Sequence, residues 1–157
     1  MKINSDFKDL LSLLNDESVE YLLVGGYAVI LHSEPRYTKD LDIWIRPTKD
    51  NAARLYRALK RFGAPLQQLG LREQDFCDEG SFVQLGREPV RIDLLMGVKG
   101  LIFQDAWDRR DVVKIEGLAI NLISRVDLID AKLEAGRPQD LIDAKTLRQS
   151  IATSSKG

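Results

Sequence analysis

An apolar run closed by a double glycine, Leu22-Leu23-Val24-Gly25-Gly26, is followed by Asp40-Leu41-Asp42, and this sequence constrains the chain more than any other stretch. Tyr21-Leu22-Leu23-Val24 has strand composition. Gly25 and Gly26 let the backbone turn sharply and approach a ligand where a Cβ would obstruct it. Tyr27 to His32 is compatible with a helix, and a helix opened by glycines leaves backbone N–H groups at its positive end, suited to phosphate oxygens. Asp40 and Asp42, two apart on a strand, share one face, with Leu41 and Ile43 on the other. Two carboxylates on one face repel unless a cation lies between them. Oxygen-only ligands of this kind suit Mg²⁺, which takes one or two carboxylates plus substrate phosphates.

A third carboxylate is expected on a neighbouring strand. In Pro89-Val90-Arg91-Ile92-Asp93-Leu94-Leu95-Met96 the apolar face is Val90, Ile92 and Leu94, and Arg91 and Asp93 occupy the other. Asp93 is the only acidic residue of that run. Asp40, Asp42 and Asp93 together can build a two-metal site that clamps the attacking and leaving oxygens of an in-line displacement. Asp93 can also serve as general base toward an acceptor hydroxyl. Taken singly, Gly-Gly after a strand is a tight turn and Asp-x-Asp is a solvated strand end. The ordered combination is what points to a nucleotide site.

The pattern resembles that of the DNA polymerase β-like nucleotidyltransferase superfamily: Gly-Gly or Gly-Ser, a gap, Asp-x-Asp, then a later strand Asp. The fuller string Gly25-Gly26-x-Ala28, His32, Arg36-x-Thr38-x-Asp40-x-Asp42 is similar to the AbiEii-type toxin nucleotidyltransferases and related small bacterial proteins. Their C-terminal Lys, Arg, Asp-x-x-Asp motif is matched by Lys132, Arg137, Asp140 and Asp143. The resemblance spans roughly residues 20–147. It implies an α+β nucleotidyltransferase core: a mixed, mostly antiparallel sheet flanked by helices, with a C-terminal helical hairpin. It implies Mg²⁺-dependent transfer of a nucleotide from an NTP, with two ions held by Asp40, Asp42 and Asp93. Gly25 and Gly26 would hold phosphates and Lys132 would touch the triphosphate or base. Asp140 matches the last toxin-family motif. The AbiEii-type toxins are longer and carry an additional helical domain for which this chain has no room.

Length and composition fit one compact domain, expected over residues 1–150 with a disordered tail at 151–157. A chain of 157 residues buries about two-thirds of its unfolded surface. No apolar stretch approaches the ~20 residues that span a membrane. The polar N-terminus lacks a signal-peptide core. The single cysteine, Cys77, excludes an internal disulfide and suits a reducing cytoplasm; its acidic neighbours Asp75, Asp78 and Glu79 argue against a catalytic thiolate. A formal net charge of −1 gives no support for large-scale nucleic-acid binding. The local basic clusters, Arg54, Arg57, Lys60 and Arg61 on one helix and Arg109-Arg110, read as solvated faces.

Phe7, Leu10, Leu11 and Leu14 carry the spacing of an amphipathic helix. Thr48 is an N-cap for a helix to Phe62 that presents Ala52, Leu55, Tyr56, Leu59 and Phe62 on one face. Residues 66–80 read as a long loop placed over the site. Hairpins are expected across Gly86-Arg87-Glu88 and Glu116-Gly117. Ser124-Arg125-Val126-Asp127 opens a helix that ends near Gly136, and Pro138 suits the first position of a last helix.

His32, the only histidine, has two readings: a substrate or loop contact, or a plain helix-end polar residue. Arg36 either binds a phosphate or pairs with an Asp. Thr38 joins it in the nucleotide-binding set. Trp44 and Trp107 read as packing residues, and Gly97-Val98-Lys99-Gly100 lacks the spacing of a P-loop. Two function classes follow. One is an active nucleotidyltransferase whose acceptor is a small molecule, a tRNA end or a protein hydroxyl. The other is a catalytically weak nucleotide-binding or protein-interaction module on the same fold, such as a toxin–antitoxin component that binds an antitoxin. A homodimer would help so small a domain enclose its substrate.

Overall fold

In the computed structural model, the structure describes residues 3–33, 38–87 and 90–156, with side chains through Ser150. The elements in order are α1 (Ser5–Asp16), β1 (Tyr21–Val24), α2 (Gly25–His32), β2 (Asp40–Ile45) and α3 (Lys49–Phe62). A 3-10 turn (Glu73–Phe76) follows, then β3 (Phe82–Arg87), β4 (Val90–Leu95) and α4 (Phe103–Asp108). The chain closes with β5 (Asp111–Ile115), β6 (Leu118–Leu122), α5 (Arg125–Ala135) and α6 (Pro138–Lys156).

The described strands form one six-stranded sheet in the order β3-β4-β2-β1-β6-β5. Pairs β1–β2, β3–β4 and β5–β6 run antiparallel, while β2–β4 and β1–β6 are parallel. This is the mixed, mostly antiparallel sheet expected from the sequence. The central strand β1 is buried at every residue, as a strand covered on both faces must be. One layer of the core joins Phe7, Leu10, Leu11 and Leu14 of α1 to Ala52, Leu55 and Leu59 of α3 and to the sheet. The Phe7 ring meets Tyr27 of α2 edge to face at 5.7 Å, which ties α1 to the helix after the double glycine.

Local chemistry explains most boundaries. Asn4 caps α1 by accepting from the Asp6 N–H at 2.8 Å. Thr48 caps α3, and Gly63 ends it in the left-handed conformation at φ 93°. Glu116 and Gly117, both at positive φ, form the tight turn joining β5 to β6. Ser124 accepts from the Asp127 N–H at 3.1 Å and opens α5. Asn51 has no counterpart in the apolar pattern. It is fully buried, accepts from the Glu20 N–H at 2.7 Å and donates to the carbonyls of Glu20 and Arg46 at 2.9 and 3.0 Å. A single amide thereby locks the chain before β1, the end of β2 and the start of α3 together.

One expectation is corrected, and one element was not foreseen. Residues 66–80 do not cover the site: none of them lines the main cavity, and Leu66 and Phe76 are buried as the segment packs on α3. Their apolar residues find a surface there, which the charged residues between them hid. The short helix α4 was not foreseen; its Phe103 meets Trp44 edge to face at 5.1 Å and stacks on Trp107 at 5.8 Å. Helix α6 spans Pro138–Lys156.

Candidate active site

The three aspartates converge through strand pairing. Asp40 and Asp42 alternate with buried Leu41 and Ile43 on β2. Asp42 and Asp93 are register partners across the parallel β2–β4 pair, and Asp40 lies opposite Arg91. All four residues line a cavity of about 860 Å³ between the sheet and the α5–α6 hairpin. Asp93 is 6% exposed and Asp40 and Asp42 are half-buried, so none of the three is a fully solvated strand end.

Gly25 is required by this arrangement. Its φ is +69°, and a Cβ built on it would lie 2.0 Å from Oδ2 of Asp42. The glycine therefore provides the space that the Asp42 carboxylate fills, as well as the turn from β1 into α2. Gly26 is buried in the first turn of α2, and no side chain caps that helix at Val24. Gly25 and Gly26 both line the cavity, so an uncapped helix start meets the carboxylate cluster.

Electrostatics mark Asp42. Burial, then the charge and hydrogen bond of Asp93, then the charge of Asp40 push its pKa up to about 7; Lys132 offsets part of this. The Arg91 guanidinium lies 3.3 Å from both Asp93 oxygens and 3.8 Å from Asp40, and its bond to Asp93 raises its own pKa. Above the sheet, Lys132 of α5 reaches Asp140 at 3.4 Å and Asp143 at 3.0 Å. Arg137 donates to Asp140 at 2.6 Å. Burial would raise the Asp140 pKa, but the bond from Arg137 and the charge of Lys132 outweigh it and hold that carboxyl down. Lys132, Arg137, Asp140 and Asp143 all line the cavity.

Of the residues singled out from sequence, Gly25, Gly26, Thr38, Asp40, Asp42, Asp93, Lys132 and Asp140 line one cavity. Arg36 lies outside the described residues. His32 is absent from the lining. Its Nε2 pairs with the Ile123 carbonyl at 2.6 Å, 3.9 Å from Asp111, and burial lowers its pKa. That is the helix-end reading, tying α2 to the end of β6. Arg91 and Arg137 were not foreseen as lining. Alternation on β4 placed Arg91 on the Asp93 face, which was the available signal. Arg137 lay within the motif string, but spacing alone gives an arginine no partner.

Among the described residues no three carboxylate, imidazole or thiolate groups already stand at metal-binding spacing. Two observations nonetheless fit a hard cation. Oδ1 of Asp40 is buried and accepts no hydrogen bond from a described residue. Burial and the neighbouring Asp93 charge raise the pKa of Asp42, a cost that a positive charge would relieve. Mg²⁺ needs only one or two carboxylates when phosphates complete its shell, so a preformed protein cage is not required.

Solved structures share this architecture. TM1012 from Thermotoga maritima, a provisional nucleotidyltransferase, superimposes with TM-score 0.59 at 16% identity, covering 94% of this chain and 91% of its own. ANT(2")-Ia in complex with adenylyl-2"-tobramycin gives 0.59 at 12%, covering 95% and 89%. The lincomycin-bound lincosamide adenylyltransferase LnuA gives 0.56 at 16%, covering 93% and 96%. No curated protein matches this chain in sequence. At these identities the structural likeness establishes the fold. Residues 1–153 match the family described as "Nucleotidyltransferase of unknown function (DUF6036)", and the chain belongs to that nucleotidyltransferase family.

Proposed function

We propose that this protein transfers a nucleoside monophosphate from a Mg²⁺-bound NTP to the hydroxyl of a small-molecule acceptor. The observation that carries it is the in-register Asp42–Asp93 pair beside Gly25, in a cavity large enough for a nucleotide and a second compact substrate. Asp40, Asp42 and Asp93 would hold Mg²⁺, which supplies charge neutralisation at the transferring phosphate. Gly25, Gly26 and the start of α2 receive phosphate oxygens, joined by Thr38. Lys132, anchored by Asp140 and Asp143, faces the same space and is placed for the triphosphate or base. Asp93 takes the proton of the attacking hydroxyl as the bond from that oxygen to the α-phosphorus forms and pyrophosphate leaves.

A small acceptor is favoured over a long polynucleotide. The chain carries net charge −1, and Arg57 and Arg61 are spent on Glu17 and Asp16 of α1. Two of the structural neighbours hold small antibiotics, an adenylylated tobramycin and lincomycin, which supports the same class here. A tRNA or protein acceptor, and a role as a toxin controlled by an antitoxin, rest on the resemblance to AbiEii-type toxins alone. The experiment is pyrophosphate release from each NTP with a library of compact alcohols. Release should need Mg²⁺ and fall at least a hundredfold in Asp93→Asn. Equal release by wild type and variant would refute the assignment.

A further inference from the structure

The cavity continues past the aspartates, and the sheet order says in which direction. From β1 the strands run β2, β4, β3. The helix start that suits phosphates follows β1, and the carboxylates lie on β2 and β4. In an in-line displacement the attacking oxygen stands opposite the leaving pyrophosphate. If the β and γ phosphates lie toward Gly25 and Gly26, the acceptor must enter from the β4–β3 side.

That side has a distinct surface. Leu95 follows Asp93 by two residues and so shares its face of β4; its register partner is Phe82 on the edge strand β3. Both line the cavity with Val98. Phe82 is 52% exposed, an aromatic ring left open beside the reacting centre. The platform is fixed in place. The Gly80 N–H donates to the Met96 carbonyl at 3.1 Å, and the Met96 N–H to the Ser81 carbonyl at 2.9 Å. A Cβ on Gly97 would lie 2.9 Å from the Gly80 nitrogen, so the two strand ends are in contact. Lys99 meets Glu134 at 3.8 Å, which brings the end of α5 to the same side and gives the platform a roof. The cavity's other apolar wall, Ile123 and Leu128, belongs to the β6–α5 junction. Ile123 donates to Leu23 on β1, on the phosphate side.

We propose that Phe82, with Leu95 and Val98, forms the acceptor subsite, and that it selects a compact alcohol carrying an apolar or sugar-ring face. This rests on the nucleotidyl-transfer reading above. The hydroxyl oxygen bonds to the α-phosphorus, the bridging bond to the β-phosphate breaks, the electron pair leaves with pyrophosphate, and the hydroxyl proton passes to Asp93. Phe82 takes no part in that exchange. It stacks on the acceptor ring and so sets which alcohols reach the phosphorus, through the ring-face contact that aromatic side chains favour.

The test is methyl and amide NMR of the full chain. Phenyl β-glucoside, cyclohexylmethanol, glycerol and the trinucleotide CCA are titrated separately, and Mg·ATP in a parallel sample. The two ring-bearing alcohols should shift the Leu95 and Val98 methyls at least fivefold more tightly than glycerol. Phe82→Ala should weaken them at least fivefold, and Phe82→Trp should retain them; unchanged Leu22 and Leu55 methyls report an intact fold. No ring preference, or a preference that survives Phe82→Ala, overturns the subsite. A response to CCA stronger than to either alcohol also overturns it, in favour of a nucleic-acid end. The nucleotide reading is read separately. If Mg·ATP leaves the Gly25 and Gly26 amides unmoved while the ring alcohols still bind at Phe82, transfer fails and the pocket stands as a ligand site.

Discussion

Gly25 and Asp42 occupy each other's space. Gly25→Ala places a Cβ 2.0 Å from Oδ2 of Asp42 and forces a non-glycine residue to φ +69°. The conformation alone costs about 1–2 kcal/mol, and the clash displaces the carboxylate. Gly25→Ala should therefore lose more than tenfold in NTP affinity together with a Tm drop of several degrees. A variant with wild-type affinity would show that the carboxylate position is not set by the glycine. Asp42 itself pits function against stability. Its folded pKa of about 7 lies above the ordinary carboxylate value of 3.8. Between those values the unfolded chain gives up a proton that the folded protein retains, so stability falls as pH rises from about 4 to 7, and the full penalty persists above. In metal-free buffer Asp42→Asn should raise Tm at pH 8 and leave it nearly unchanged at pH 4. A thermal scan with chelator present reads this directly; a destabilised variant at pH 8 would contradict the burial argument.

At the scale of elements, α5 and α6 are latched by Lys132 between Asp140 and Asp143. The lysine side chain is 13% exposed and each carboxylate side chain 3%. Lys132→Met removes the ammonium that lies between two buried carboxylates, and the exposed Arg137 contacts Asp140. Removing one partner of such a buried set costs roughly 3 kcal/mol, and urea unfolding should show a loss of that order. A change within about 0.5 kcal/mol, the scatter of surface substitutions, would mean the latch is cosmetic. The elements that sequence made legible are those whose local chemistry is self-sufficient. Thr48 and Ser124 cap their helices, Glu116-Gly117 turns its hairpin, and the alternation in Val90 to Leu95 puts Asp93 on the site face. What stayed hidden depends on distant partners. Residues 66–80 look like loop until α3 supplies a surface for Leu66 and Phe76. The buried role of Asn51 exists only because β1 and β2 bring backbone groups of Glu20 and Arg46 to it. Likewise, Phe82 reads as an ordinary strand residue until β3 is placed at the sheet edge beside the cavity.

For the whole molecule, the charge distribution narrows the substrate. Two of the basic residues on α3 pair with the acidic end of α1, through Arg57–Glu17 at 3.3 Å and Arg61–Asp16 at 3.6 Å. Binding to a generic RNA or DNA duplex should therefore be undetectable at micromolar protein and 0.15 M salt, an ionic strength that screens unpaired surface charge beyond about 8 Å. A gel-shift assay checks this, and a submicromolar complex would reopen the polynucleotide acceptor. No described helix is long and apolar enough to cross a membrane. The central claim, that the carboxylate cluster binds a nucleotide through a metal, is tested most directly by calorimetry. The four NTPs are titrated with and without Mg²⁺ into wild type and the Asp40→Asn/Asp42→Asn double variant. The account predicts binding of at least one NTP that requires Mg²⁺ and disappears in the double variant. Binding by neither protein while both are folded, or Mg²⁺-independent binding that the double variant keeps, would contradict it.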